Sequence, residues 1–296
     1  MVVNGCIVLL AFQTHCGEDC YRGNVHTQFW NVNNMVKSII RNVFVKYKYP
    51  IVIFEEDYDT FQKNKIKNSY SNVVFKKVDF SPKSFPNYLN IDKVRLQVET
   101  SHRNKNISAP SMRGTFHGFG YRMMCRFYAY FILKRLEEYD WYMRVDAGDS
   151  RFTGKFKFDI FEFMEKNSYK YGYHAVSTAA PNKRLDKTLL QFKLFNNVSV
   201  DKKLEKPFFK NGIYNGKYYY NNFEILHIPS FLNPVYKKLF YMVDKSGAFM
   251  IGNTYKKNLG DADFRSVAIP FILKSNQVVK LNIPYKHPAP WNEIYL

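Results

Sequence analysis

The chain reads as an α/β protein of Rossmann type, with a mixed, mostly parallel sheet flanked by helices. Three stretches near its start carry that reading. The continuous apolar run Gly5-Cys-Ile-Val-Leu-Leu-Ala-Phe12 gives way to polar Gln13-Thr-His15, as a buried parallel strand does where it opens onto a loop. Apolar residues at Val32, Met35, Val36, Ile39, Ile40 and Val43 recur at helical spacing across 31–44. Tyr49-Pro-Ile-Val-Ile-Phe54 is a second strand, ending in Glu55-Glu-Asp57. Strand, helix and strand in immediate succession form a βαβ unit, and such units build parallel sheets.

The later elements follow from the same periodicities. Residues 71–79 hold a third strand, and 99–120, rich in Ser, Asn, Arg and Gly, read as a loop over a site. A helix is predicted over 121–138, with Met124, Phe127, Phe131, Leu133 and Leu136 on its apolar side. Arg122 and Arg126 lie four apart on one face of it. The aromatic run 139–145 is the next strand. A helix over 160–167 and a strand over 171–177 come next, and 178–215 reads as irregular and basic. Residues 231–246 are helical with Pro234 near the start, a position that tolerates proline. Residues 264–273 begin as a helix that Pro270 interrupts. A late strand over 277–283 leads into an extended tail over 284–290. No repeat or flexible linker divides the chain, so a single domain over 1–296 is expected.

Composition narrows the partners. Of 296 residues, 46% are hydrophobic, enough for a sizeable core and too many for wholesale disorder. The net charge of +19 suits an anionic partner: a nucleotide diphosphate, nucleic acid or an acidic membrane surface. Its lysines are scattered, and no zinc-finger spacing, RNP-type strand or basic arm accompanies them, so nucleic acid is not the expected partner. Four cysteines (Cys6, Cys16, Cys20, Cys125) are too few for a disulfide framework and lack the spacing of a zinc site. Cys16 and Cys20 could pair locally, but free thiols are the default. The apolar run at 6–12 is far shorter than the ~20 residues a bilayer span needs and lacks the flanks of a signal peptide. A soluble, cytoplasmic chain with no stable membrane insertion is therefore expected.

The most informative stretch is Tyr139-Asp-Trp-Tyr-Met-Arg-Val-Asp-Ala-Gly-Asp149. A buried strand ends in two carboxylates, Asp146 and Asp149, separated by Ala147 and Gly148. Strand ends of this kind form the ligand-binding rim of α/β sheets. Small residues between the carboxylates let the backbone approach a ligand. Two hard oxygen donors on a tight turn suit a divalent cation that also takes phosphate oxygens, the device by which nucleotide-sugar transferases hold a donor diphosphate. An acidic turn that merely caps the next element is the alternative.

Several collinear segments resemble the fungal-type α-mannosyltransferases of glycosyltransferase family 15. Tyr121-Arg-Met-Met-Cys-Arg-Phe127 is similar to that family's Tyr-Arg-x-Met-Cys-Arg-Phe/Trp helix start, and 139–146 to its Tyr-Asp-Tyr-Tyr-Trp-Arg-Val-Glu strand. Asn222-Phe-Glu-Ile225 matches Asn-Phe-Glu-Ile. Gly247-Ala-Phe249, then Gly260-Asp-Ala262 and Ser266, resemble Gly-Phe-Phe, Gly-Asp-Ala-Pro and a Ser. Tyr285-Lys-His-Pro288 resembles the family's late Tyr-x-His-Pro. The matches run from about 120 to 288. Departures are the acidic turn, usually Glu-Pro-Asp, the segment between Gly247 and Gly260, and Asp263 in place of a Pro.

The resemblance implies a GT-A-like fold, with a nucleotide-sugar-binding half (1–150) and an acceptor-binding and catalytic half (151–296). It implies a metal-dependent glycosyltransferase that retains configuration, moving mannose from GDP-mannose to a glycan or glycoprotein hydroxyl. A UDP-sugar such as UDP-xylose or UDP-glucose is the alternative donor for an anchor-free member from an AT-rich genome, such as that of a large DNA virus. Mn²⁺ or Mg²⁺ would be held by Asp146 and Asp149, with His287 as the family's third ligand. Arg122, Arg126 and Arg144 could grip phosphate oxygens bidentately, or pair with Glu137, Glu138 or Asp140. Glu224, between Phe223 and Ile225, would be nucleophile or electrostatic stabiliser, unless it is a structural carboxylate paired with a lysine. Asp261 would bind hydroxyls or act as general base. A non-catalytic glycan- or nucleotide-binding protein of the same fold, and a basic nucleic-acid-binding protein, are the rival classes.

Overall fold

The structure is a computed structural model that describes residues 2–11, 25–94, 96, 119–148, 150–251 and 259–287. Of the loop expected over 99–120, residues 99–118 lie outside the described residues, as do Cys16, Cys20 and Asp149, and Phe119 and Gly120 are already helical. The strands are β1 (Gly5–Leu10), β2 (Ile51–Glu55), β3 (Val73–Lys77), β4 (Trp141–Val145), β5 (Arg151–Phe152), β6 (Tyr171–Thr178), β7 (Phe209–Lys210), β8 (Ile213–Tyr214), β9 (Lys217–His227), β10 (Val278–Lys280) and β11 (Tyr285–Lys286). Seven of them form one sheet in the order β10-β6-β9-β4-β1-β2-β3. β4, β1, β2 and β3 are mutually parallel, as the βαβ reading demands, whereas β9 runs antiparallel between β4 and β6. The sheet is mixed and mostly parallel, as expected.

Alternation along the strands divides the core. Cys6, Val8, Leu10 and Tyr142 face one side, and Ile7, Leu9, Trp141 and Met143 the other. The second side is covered by α1 (Val25–Asn42), α2 (Thr60–Ser69) and α4 (Ile160–Lys166). β1 and α4 pack so closely that a Cβ on Gly5 would meet the Phe161 ring at 2.7 Å, which is why a glycine opens the strand. The first side is covered by α3, α5 (Lys183–Asn196), α8 (Pro234–Lys245) and α9 (Asp261–Ala268). α3 begins at Phe119–Arg126, widens through a π-helical turn at Phe127–Phe131 and ends at Ile132–Arg135. Two short helices, α6 (Lys202–Glu205) and α7 (Ile228–Phe231), complete the order. Cys6 and Cys125 are free and buried.

The expectation of irregular structure over 178–215 is overturned. Asn182 caps α5 by accepting from the Arg184 and Leu185 amides, and Leu185, Thr188, Leu189 and Phe192 supply a helical stripe. The interleaved lysines obscured it. β7 and β8 then form a hairpin. The long central strand β9 was likewise unread, although it holds the sheet's two halves together.

A polar knot crosses the first core face. Glu224 on β9 is fully buried and accepts from Tyr142 Oη (2.7 Å), Tyr171 Oη (3.1 Å) and the Arg265 guanidinium (3.3 Å). Arg265, on α9 and also fully buried, donates further to Tyr236 Oη and to the Tyr128 carbonyl in the π turn. Burial would lower the guanidinium's pKa, but Glu224 and the tyrosines outweigh it and hold the group charged. β4, β6, β9, α3 and α9 are thus tied through one ion pair. The partner of Glu224 is an arginine rather than a lysine, inside the sheet wall rather than at a strand end.

Two outcomes follow. Glu224→Gln strands the Arg265 charge in the core and is expected to cost about 3 kcal/mol, read by urea unfolding. Replacing both, Glu224→Gln with Arg265→Met, should recover most of that loss. A single variant as stable as wild type would contradict the ion-pair account. Separately, burial, with Lys170 nearby, lowers the His227 pKa to about 4, below its unfolded value of 6.5. The neutral ring is favoured in the fold, so stability present above pH 6.5 should be lost as pH falls from 6.5 towards 4, and His227→Gln should flatten that slope in thermal melts.

Candidate functional site

The site forms where β4 ends. Beyond Val145 the chain turns through Asp146, whose amide donates to the Asn222 carbonyl on β9 (3.0 Å). Ala147 is buried, whereas a Cβ built on Gly148 would meet no atom of the described residues within 4 Å.

Arg144, on the last turn of β4's pleat facing the first core side, organises the cluster. Its Nε donates to Asp146 Oδ1 (3.1 Å), its Nη1 donates to Asp261 Oδ2, and its guanidinium lies over the Tyr128 ring at 3.6 Å. Asp261 stands in the first turn of α9, where a carboxylate is favoured by the helix dipole. Its Oδ2 accepts also from Asn221 Nδ2 (2.7 Å). Asn221 reaches it because β9 bulges: Tyr173 pairs with Glu224 and Ala175 with Tyr220, which leaves extra residues around Asn221 and Asn222.

His287 arrives from the far end of the chain. β5 and β11 pair antiparallel, Phe152 opposite Tyr285 and Arg151 opposite Lys286. This ladder sets His287 Nδ1 2.9 Å from Ser150 Oγ, and the ring 5.3 Å from that of Tyr220. Tyr285 Oη donates to Ser150 Oγ (2.7 Å) and the Asn222 carbonyl (3.0 Å), locking the ladder to β9. His287 is close enough for its charge to act on Asp146. The structure thus brings together Arg144, Asp146, Asp261 and His287, which lie far apart in sequence.

Other expected residues lie elsewhere. Glu224 faces Arg144 in the β4–β9 register but is sealed in the polar knot. Arg126 pairs with buried Asp244 (2.8 Å) and covers the Phe131 ring at 4.5 Å, so its partner is none of Glu137, Glu138 or Asp140. Arg122 is buried and donates to the Met250 carbonyl. Among the described residues, Arg144 is the arginine of the three that meets the acidic turn. Sequence reading missed Asn221, Ser150, Tyr285 as a hydrogen-bond donor, and Arg265. Only Tyr285 carried a signal, in the Tyr-Lys-His-Pro segment.

The charges decide whether a cation fits. Three carboxylates, Asp146, Asp261 and Glu224, face two guanidiniums, Arg144 and Arg265. Burial raises the Asp146 pKa and Asp261 raises it further, while Arg144 and His287 pull it back without cancelling the rise. A partly desolvated carboxylate beside an imidazole offers the mixed oxygen and nitrogen donors that suit a divalent cation. Among the described residues no group of three or more His, Cys, Asp or Glu side chains is gathered to hold one by itself. Asp149, the further expected ligand, lies outside the described residues.

Comparison with known proteins identifies the family and the fold. The sequence profile described as glycolipid 2-alpha-mannosyltransferase, glycosyltransferase family 15, matches residues 22–292. The glycolipid 2-alpha-mannosyltransferase of Saccharomyces cerevisiae is 27% identical over 268 residues, 86% of this chain and 56% of that protein. The O-glycoside alpha-1,2-mannosyltransferase omh1 of Schizosaccharomyces pombe is 26% identical over 272 residues, 88% of this chain and 66% of its own length. The chain spans about half the length of the curated relatives it matches. Among solved structures, the Mn/GDP form of core-mannan synthase A (CmsA/Ktr4) from Aspergillus fumigatus superposes with a TM-score of 0.77 at 19% identity, covering 97% of this chain and 75% of that one. Ktr4p of S. cerevisiae with GDP gives 0.74 at 17% identity, covering 98% and 74%. These likenesses establish a GT-A-like fold. With the profile covering nearly the whole chain, the protein belongs to glycosyltransferase family 15.

Proposed function

We propose that this chain is a metal-dependent mannosyltransferase that uses GDP-mannose and transfers the sugar to a glycan hydroxyl, as on a glycoprotein. The observation that carries the proposal is the meeting of Asp146, Arg144, Asp261 and His287 at the C-terminal edge of β4, the edge at which α/β sheets bind ligands. Family membership supports the reaction class. A fold neighbour crystallised with Mn and GDP supports the choice of base and metal.

In this reading Asp146 and His287, with Asp149, hold Mn²⁺ or Mg²⁺. The bound cation would neutralise the diphosphate leaving group. Ser150 fixes the His287 ring through Nδ1, which presents Nε2 as the ligating atom. Arg144 holds the two carboxylates on either side of it in fixed positions. Asp261 takes both of its hydrogen bonds on Oδ2, which leaves Oδ1 for a sugar hydroxyl. That geometry favours Asp261 as the carboxylate in contact with substrate. Glu224, neutralised by Arg265 and without exposed surface, supports the site from inside the sheet wall.

Calorimetry tests the metal reading: GDP should bind much more tightly with Mn²⁺ than with a chelator present. Asp146→Asn should remove that difference in a protein that is still folded, though less stable because Arg144 loses a counter-charge, and an unchanged metal effect would move the cation elsewhere. The roles of the two carboxylates separate by kinetics. Asp261→Asn should lower kcat by roughly a hundredfold or more, with GDP affinity little changed. The Glu224→Gln/Arg265→Met double variant should stay within about tenfold of wild type. A collapse of kcat in that folded double variant would return the catalytic role to Glu224.

A further inference from the structure

The outward side of two neighbouring helices carries a surface the transfer reaction does not use. α5 buries Leu185, Thr188, Leu189 and Phe192, yet its opposite side shows Leu190, Leu194 and Phe195, exposed by 60%, 70% and 79%. Leu190 and Leu194, four residues apart, share one face of the last two turns in line with Lys183 and Lys187, and Phe195 flanks them. The earlier turns of the same outward side carry Lys183, Arg184 and Lys187. α8 packs against the same core cluster, and Arg184 Nη1 donates to the Ser246 carbonyl just beyond its end (3.2 Å). The outward side of α8 adds Lys237, Lys238 and Lys245 around Tyr241 and Met242.

The acidic groups of this region are turned away from that face. Asp186 accepts from the Tyr214 amide, Asp244 is buried against Arg126, and Glu205 is paired with Lys193 and Lys202. Outward on the two helices are Lys183 and Lys187 with Leu190, Leu194 and Phe195 on α5, and Lys237, Lys238 and Lys245 on α8.

We propose that the α5–α8 face docks on an anionic lipid surface, with Leu190, Leu194 and Phe195 entering the headgroup boundary and the lysines facing lipid phosphates. Amphipathic helices bind interfaces in this way, apolar side chains inward and Lys/Arg around them. The charge favours a membrane over a protein partner, because lysine is depleted at protein–protein interfaces whereas basic clusters are drawn to anionic leaflets. Among the described residues no helix is long and apolar enough to cross a membrane.

Sedimentation of the full chain with vesicles tests this. Vesicles of phosphatidylcholine with about 30% phosphatidylserine should bind the protein at low salt, and phosphatidylcholine alone should bind it far less. Raising the ionic strength should release it. Leu190→Ser/Leu194→Ser/Phe195→Ser alters only exposed side chains, so its melting temperature should match wild type, and its partition coefficient should fall about tenfold or more. Lys187→Glu/Lys237→Glu/Lys238→Glu should abolish the preference for phosphatidylserine. Absence of wild-type binding to the anionic vesicles, or equal binding by the folded serine variant, would overturn the proposal.

Discussion

The pairing of β4 with β9 is the constraint on which the site depends. It sets Arg144 opposite Glu224 across the ladder, so a guanidinium and a carboxylate enter the interior side by side. Neither can remain there without further counter-charges, because a buried ion without a partner costs several kcal/mol. Arg144 therefore requires Asp146 and Asp261, and Glu224 requires Arg265. Both needs are met by α9, which contributes Asp261 at its first turn and Arg265 one turn later. The placement of that helix, the bulge in β9 and the π turn in α3 all serve this pattern. The Tyr128 carbonyl of the π turn accepts from Arg265, and its ring supports Arg144.

The residual charge at the rim follows from the same pattern. Deep in the wall, Glu224 and Arg265 neutralise one another. Nearer the surface, Arg144 is shared between two carboxylates, and burial raises the pKa of the outer one, Asp146, while Arg144 and His287 pull it back. The fold thus delivers a carboxylate rim at the end of β4 and places an imidazole next to it. Under the proposed function, that rim's partner is a metal-bridged nucleotide sugar; the chain spans about half the length of its curated relatives.

Much of this was legible in the sequence, and the limits are physical. The parallel strands announced themselves because both of their faces are buried, so β1 and β2 read as unbroken apolar runs. The end of β4 was legible because its apolar run stops at Asp146. β9 was opaque: its Tyr and Asn residues alternate poorly, and its bulge breaks the period of two. α5 was opaque because surface lysines and exposed leucines hid the Leu185, Leu189 and Phe192 stripe. Arg265 could not be foreseen, since nothing local distinguishes a surface arginine from one that will meet a buried glutamate 41 residues away. For the same reason the apolar setting of Glu224 was read correctly while its partner was not.

The central claim is that the Asp146 rim and His287, joined by the β5–β11 ladder, form one cation-binding site. The most direct measurement is a crystal structure of the chain with GDP and Mn²⁺, with anomalous scattering collected at the manganese edge. The account predicts a single strong anomalous peak in bonding contact with an Asp146 oxygen and His287 Nε2, bridging to the diphosphate. A peak bound to other residues, or a nucleotide seated without either side chain near its phosphates, would contradict it.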